Sequence, residues 1–148
     1  MIYDIDVAII NFLQKIAMPV SRLAIFVIFF WFGLLKVIGF SPAEGLVESL
    51  LQTTMPFIEP ATFMICFGLF EMLIGIMFLV KGLEREVIPL LAFHMFTTFM
   101  PLFLLPSIMW TQAFVPTLEG QYIIKNLMII ATAIGIAAHL HPIKHRIN

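Results

Sequence analysis

ATFMICFGLFEMLIGIMFLV, residues 61 to 80, carries one charge, Glu71, in an otherwise apolar run. At about 1.5 Å rise per residue it reaches about 30 Å, the thickness of a bilayer's hydrocarbon core. Three further stretches match it: SRLAIFVIFFWFGLLKVIGF, residues 21 to 40, interrupted by Lys36; Val87 to Trp110, with His94 and prolines at 89, 101 and 106; and Gln121 to His141, with Lys125, Asn126 and His139. Helices satisfy their own backbone hydrogen bonds, as lipid requires. The pattern predicts an all-α membrane protein, a single domain over residues 1–148 with four transmembrane helices in a bundle. The three prolines predict a kinked third helix, with Thr97 and Thr98 placed to satisfy freed carbonyls or line a cavity.

The composition agrees: 61% of residues are apolar, 11% are charged and mean hydropathy is +1.07, where soluble chains carry about 25% charged residues. Lipid must cover most of the surface. A net charge of −1 provides no basic footprint for nucleic acid. The lone Cys66 excludes an intrachain disulfide and a CxxC pair, and its apolar setting reads as packing. Phosphate-cradling loops, metalloprotease helices and serine triads are not visible, so enzymatic chemistry would need a site within the membrane.

At the N-terminus, acids precede the apolar residues and no basic region opens the chain, unlike a cleaved signal peptide; the first span is expected to serve as an uncleaved insertion signal. DIDVAIINFLQKI places Asp4, Ala8, Asn11 and Lys15 at helical spacing. This predicts a short interfacial amphipathic helix over about 3–17, with Pro19 turning the chain into the first span. The longest connection, residues 41 to 60, contains GLVESLLQTT, a brief surface helix.

Charge distribution predicts the orientation. Lys15 and Arg22, Lys81 and Arg85, and Lys144 and Arg146 fall on one side of four crossings, while Glu44, Glu48, Glu59 and Glu119 fall on the other. Lysine and arginine favour the cytoplasm, so both termini are expected there, in a cell inner membrane. Trp110 and Tyr122 then flank the outer loop as interface anchors.

Within the second span, Glu71 lies about 15 Å deep, near the bilayer centre. An unpaired carboxylate there costs several kcal/mol, so it must be neutral, paired or hydrated. Gly68 and Gly75 share its face, which points it toward a close helix partner. Lys36, about 6 Å from the outer boundary, can reach inward to Glu71 or outward to headgroups. The third span contributes a stripe of His94, Thr97, Thr98 and Pro101, with His94 placed nearer the cytoplasm than Glu71. The expected polar file runs from Lys125 and Lys36 through Glu71 and the threonines to His94 and His139. Such a file suits a site for a small hydrophobic molecule or for proton exchange with a quinone-like head group. The alternative is that Lys36, Glu71 and the threonines only lock helix packing, with His94 satisfied by an interhelical hydrogen bond. Axial haem ligation by His94 and His139 is disfavoured, and the tail HLHPIKHRIN matches no closed metal site. It reads as a headgroup-contacting end.

FFWFGLLKVIGF, GLFEMLIGIMFL and LEGQYIIKN, in this order within four spans, resemble the DoxX-like small membrane protein superfamily and its relatives among reactive-chlorine-resistance inner-membrane proteins. The resemblance covers roughly residues 20 to 141 and rests on Gly33 and Lys36, on Glu71 and Gly75, and on Glu119, Gly120 and Lys125. It implies a four-helix membrane protein linked to quinone-dependent sulfur metabolism or oxidative stress, as one subunit beside a soluble redox partner or as a homo-oligomer. The candidate ligand-binding or proton-handling residues are Lys36, Glu71, His94, Thr97, Thr98, Glu119, Lys125 and Asn126, with Gly33, Gly68 and Gly75 as packing residues. A quinone is the cofactor this admits. The rival readings are a proton-coupled transporter and a non-catalytic structural partner.

Overall fold

The computed structural model describes residues 2–140. In chain order its elements are α1 (Ile2–Val37), α2 (Glu44–Thr54), α3 (Pro60–Leu79), α4 (Glu84–Phe99), α5 (Pro101–Leu104), α6 (Pro106–Met109), a hairpin of β1 (Trp110–Gln112) and β2 (Val115–Pro116), α7 (Leu118–Lys125) and α8 (Leu127–Ala137). Among the described residues, four helices are long and apolar enough to cross a membrane: Tyr3–Val37, Pro60–Leu79, Glu84–Leu104 and Leu118–Ala137. The chain has the helical architecture of a multi-pass membrane protein.

The N-terminal region departs from expectation. Residues 2–37 form one continuous helix through Pro19, with no separate short helix before it. Proline removes a single donor from the ladder, and a helix that is otherwise apolar keeps its remaining bonds instead of exposing them. The helix ends where Gly39 adopts φ +75°, and the Phe40 N–H reaches back to the Leu35 carbonyl at 2.9 Å, the closure that left-handed glycine permits.

α2 is the surface helix expected within residues 41 to 60. α3 then starts sharply: Glu59 accepts hydrogen bonds from the Ala61 N–H at 3.1 Å and the Thr62 N–H at 2.6 Å, and Pro60 occupies the first turn, where its missing donor is harmless. The third span begins at Glu84, three residues before the expected Val87, and its far end is divided at Pro101 and Pro106. Trp110 lies in the hairpin beyond it and donates its indole N–H to the Leu102 carbonyl at 2.9 Å. The fourth span starts at Leu118, capped by the Thr117 hydroxyl, which accepts from the Gly120 N–H at 3.2 Å.

α1 and α3 make the closest crossing. A Cβ added to Gly33 would lie 2.6 Å from the Gly68 carbonyl oxygen, and one added to Gly68 would lie 2.6 Å from that of Gly33. Only two glycines permit backbones this near. Next to this crossing, Ile25, Phe29, Ile74, Phe78, Val87, Leu91, Met95, Ile129, Ala133 and Ile136 form the core where α1, α3, α4 and α8 meet.

Candidate functional site

The glycine crossing sets the position of the polar residues. Gly68 leaves room for Lys36, whose Cβ would lie only 2.9 Å from a side chain at that position. Lys36 therefore runs along α3 toward Glu71, one helical turn deeper, and donates from Nζ to Glu71 Oε2 at 2.6 Å. The other carboxylate oxygen, Oε1, lies 2.9 Å from His94 Nε2. Three helices thus deliver three titratable groups to one point, with relative exposures of 8% for Lys36, 6% for Glu71 and 5% for His94.

His94 is level with Glu71. It stands ten residues inside α4, about 15 Å by helical rise, because the helix starts at Glu84. The expectation that it lay nearer the cytoplasm came from placing the span's start too late. Thr97 and Thr98 sit one turn further along and serve His94: their hydroxyls donate to its carbonyl oxygen at 2.8 and 2.9 Å, and Thr98 Oγ1 also lies 3.3 Å from Nδ1.

These partners define the hydrogen-bond chemistry. Facing an ionised Glu71, a neutral His94 carries its proton on Nε2 and donates it to Oε1. With Lys36 charged, this arrangement is electrically neutral, which offsets much of the cost of burying ions. An added proton on Nδ1 would find an acceptor in the Thr98 hydroxyl, whose own hydrogen already has the His94 carbonyl as acceptor. The cluster can accommodate either state of His94 without losing a hydrogen bond.

Aromatic rings enclose it. Phe67 stacks on His94 with ring centres 4.9 Å apart and planes 10° apart, Phe29 meets His94 edge-on at 5.0 Å, and Lys36 Nζ lies 5.8 Å from the Phe67 ring centre. Phe67 contacts both cation and imidazole, adding stacking and cation–π attraction while reducing solvent access.

The remaining expected residues fall elsewhere. Lys125 is exposed and lies over the Tyr122 ring at 5.6 Å. Glu119 is exposed, and Asn126 joins α7 to α8, where its carbonyl accepts from the Ile129 N–H. His139 is exposed and bonds the Gly135 carbonyl oxygen through Nδ1 at 2.8 Å. The long polar file therefore contracts to Lys36, Glu71, His94 and the two threonines. The tail from His141 onward lies outside the described residues.

A second buried acid was missed in sequence. Glu84 accepts from Arg22 Nη2 and from the Gly82 N–H at 2.8 Å, tying the α3–α4 turn to α1 at the end of the bundle opposite α2. Its sequence signal was an acid two residues after a turn glycine, opening a helix. Phe67 was missed too, although it lies four residues before Glu71 and so shares its face.

Two cavities among the described residues bear on the site. One, of about 110 Å³, is lined by Lys36, Val37, Gly39, Ser41, Glu44, Ala61, Met64 and Ile65. The other, a groove of about 420 Å³ between α4 and α8, is lined wholly by apolar side chains, among them Leu91, Met95, Phe99 and Ala133. Comparison of the chain with known protein families, curated proteins and solved structures finds no match.

Proposed function

We propose that the protein is a small inner-membrane subunit that handles protons at the Lys36–Glu71–His94 cluster in support of quinone-linked or other redox chemistry. The observation carrying this reading is that both oxygens of one mid-membrane carboxylate are engaged by titratable side chains from two other helices. Intramembrane ionisable groups of this kind are expensive and mark proton or ion sites more readily than plain packing contacts. The DoxX-like resemblance supplies the redox context, and a soluble redox partner or a further copy of the chain would complete the unit.

Cavity chemistry favours proton handling over docking of a whole ligand by this chain alone. The apolar groove suits an isoprenoid or acyl chain but offers a quinone head group no hydrogen bond. The pocket beside Lys36 is far smaller than the roughly 300–1,000 Å³ of ordinary ligand sites. In this reading the redox centre lies on the partner subunit.

The N-terminal half of α1 would extend into the interface. A helix of 36 residues is about 54 Å long by helical rise, against about 30 Å of hydrocarbon, so the turns bearing Asp4, Asp6, Asn11 and Lys15 leave the apolar layer. The lysine and arginine bias supports a cytoplasmic location for both termini.

Glu71→Gln tests the reading, since it keeps the shape and can still form hydrogen bonds, with one oxygen acceptor and an amide donor in place of the second oxygen, while removing ionisation. The variant should insert and fold, at lower stability because Lys36 loses its counter-ion, yet lose its cellular role in oxidant or sulfur metabolism and any dependence of quinone turnover on the subunit. Full function in a stable variant would refute proton handling. Proton-coupled transport is the rival: it predicts solute movement across proteoliposomes containing this chain alone.

A further inference from the structure

We propose that the buried cluster is a one-sided proton well, reached by water only from the face of the membrane that carries α2. The proton part of this statement rests on the function proposed above; the access part rests on packing at the two ends of the bundle.

At the α2 end, the pocket beside Lys36 lies among the last residues of α1, the following turn, the first residue of α2 and the opening turns of α3. Its volume, about 110 Å³, far exceeds the roughly 10–15 Å³ that one water requires and falls well short of a ligand-sized cavity. Ser41 and Glu44 give it polar groups at its rim, and Lys36 forms part of its wall. Gly39 keeps the turn open, with nothing within 4 Å of where a side chain would begin. Water standing here meets the stem of the side chain whose ammonium already bonds Glu71.

The opposite end is closed. Ile25, Ile74, Phe78, Val87 and Leu91, none more than 3% exposed, fill the space between the cluster and Arg22. Beyond them the Arg22–Glu84 pair joins α1 to the start of α4. Arg22 Nε and Nη1 are buried and have no hydrogen-bond partner among the described residues, while the side chain as a whole keeps 14% exposure, so the pair marks where the apolar plug gives way to water.

A proton arriving from the α2 face would therefore be taken up by the cluster and returned through the same mouth. The groups facing it are Lys36 from α1, Glu44 from α2, Glu71 from α3 and His94 from α4. Net passage across the membrane would require rearrangement of the apolar plug.

Access is measured by thiol labelling in the full-length protein with Cys66→Ser. An impermeant methanethiosulfonate is applied to right-side-out and inverted vesicles, with Glu48→Cys identifying the α2 face. Val37→Cys, in the pocket wall, and the paired change Lys36→Cys with Glu71→Gln, which leaves no orphan carboxylate, should react from the α2 face only. Leu91→Cys and Ile25→Cys should stay unlabelled from both faces while the vesicles remain intact and the variants folded. Labelling of either plug position from the Arg22 face, or inertness of both pocket positions from the α2 face, would overturn one-sided access. These outcomes do not depend on whether Glu71 handles a proton, so the two proposals fail separately.

Discussion

Lys36 points its ammonium into the membrane, bonding Glu71 Oε2 at 2.6 Å, although it is the penultimate residue of α1 and the nearer boundary lies the other way. Lysines near helix ends ordinarily extend toward headgroups. The reversal follows from the Gly33–Gly68 crossing, which brings the two helices close enough for the lysine stem to lie along α3 and lets one buried charge neutralise another.

Removing one partner should be worse than removing both. Lys36→Met strands the carboxylate and should lower stability by about 3–5 kcal/mol, whereas Lys36→Met combined with Glu71→Gln should recover part of that loss. Unfolding in a defined detergent, analysed as a double-mutant cycle, should give a coupling of about 0.5–3 kcal/mol. Additive losses would mean the contact contributes nothing specific.

The glycines should rank by what a methyl would strike. Gly68→Ala forces a methyl to within 2.6 Å of the Gly33 carbonyl oxygen and 2.9 Å of Lys36 Cβ, whereas Gly75→Ala meets Phe30 N at 3.1 Å and Phe26 O at 3.2 Å. The first should cost about 1–3 kcal/mol as overpacking, and the second less. Gly68→Ala should also loosen the Lys36 contact, visible as reduced sensitivity of stability to Lys36→Met. Equal melting temperatures for the two alanine variants would count against the crossing.

Much of this was legible in sequence because length and hydropathy are strong constraints in lipid. Four spans followed from apolar runs, and the inward direction of Glu71 followed from Gly68 and Gly75 on its face. What was lost depended on tertiary packing. Pro19 read as a stop, yet one missing donor does not end a helix that lipid favours. Lys125 entered through the expected polar file and Glu119 through the family resemblance, and neither route can show that α7 leaves both exposed. His94 was found as a residue but misplaced in depth, because the span's first turn contains Glu84, Arg85 and Glu86 and so looked like loop. Glu84 itself becomes buriable only because Arg22 arrives from a helix 62 positions away.

Glu59 makes the start of α3 sensitive to pH outside the membrane. A hydrogen bond from the Thr62 side chain, then those from the Thr62 and Ala61 backbone N–H groups, hold its carboxyl below the ordinary carboxylate value. Because the folded value is depressed, its stabilisation is present above the unfolded pKa and fades as pH falls through the folded one. The melting-temperature gap between wild type and Glu59→Ala should therefore shrink toward acid. A gap that widens toward acid would show that the carboxylate does not cap α3.

Proton handling at Glu71 requires that the cluster exchange a proton as a unit. Nuclear magnetic resonance of the protein in lipid nanodiscs, with nitrogen labels in His94 and a carbon label in the Glu71 carboxyl, reads both groups during a pH titration. The imidazole nitrogen and carboxyl carbon signals are predicted to move together, and the His94 signals to lose that coupled transition in Glu71→Gln. Signals that stay fixed wherever the protein remains folded, or a His94 transition identical in the two proteins, would contradict it.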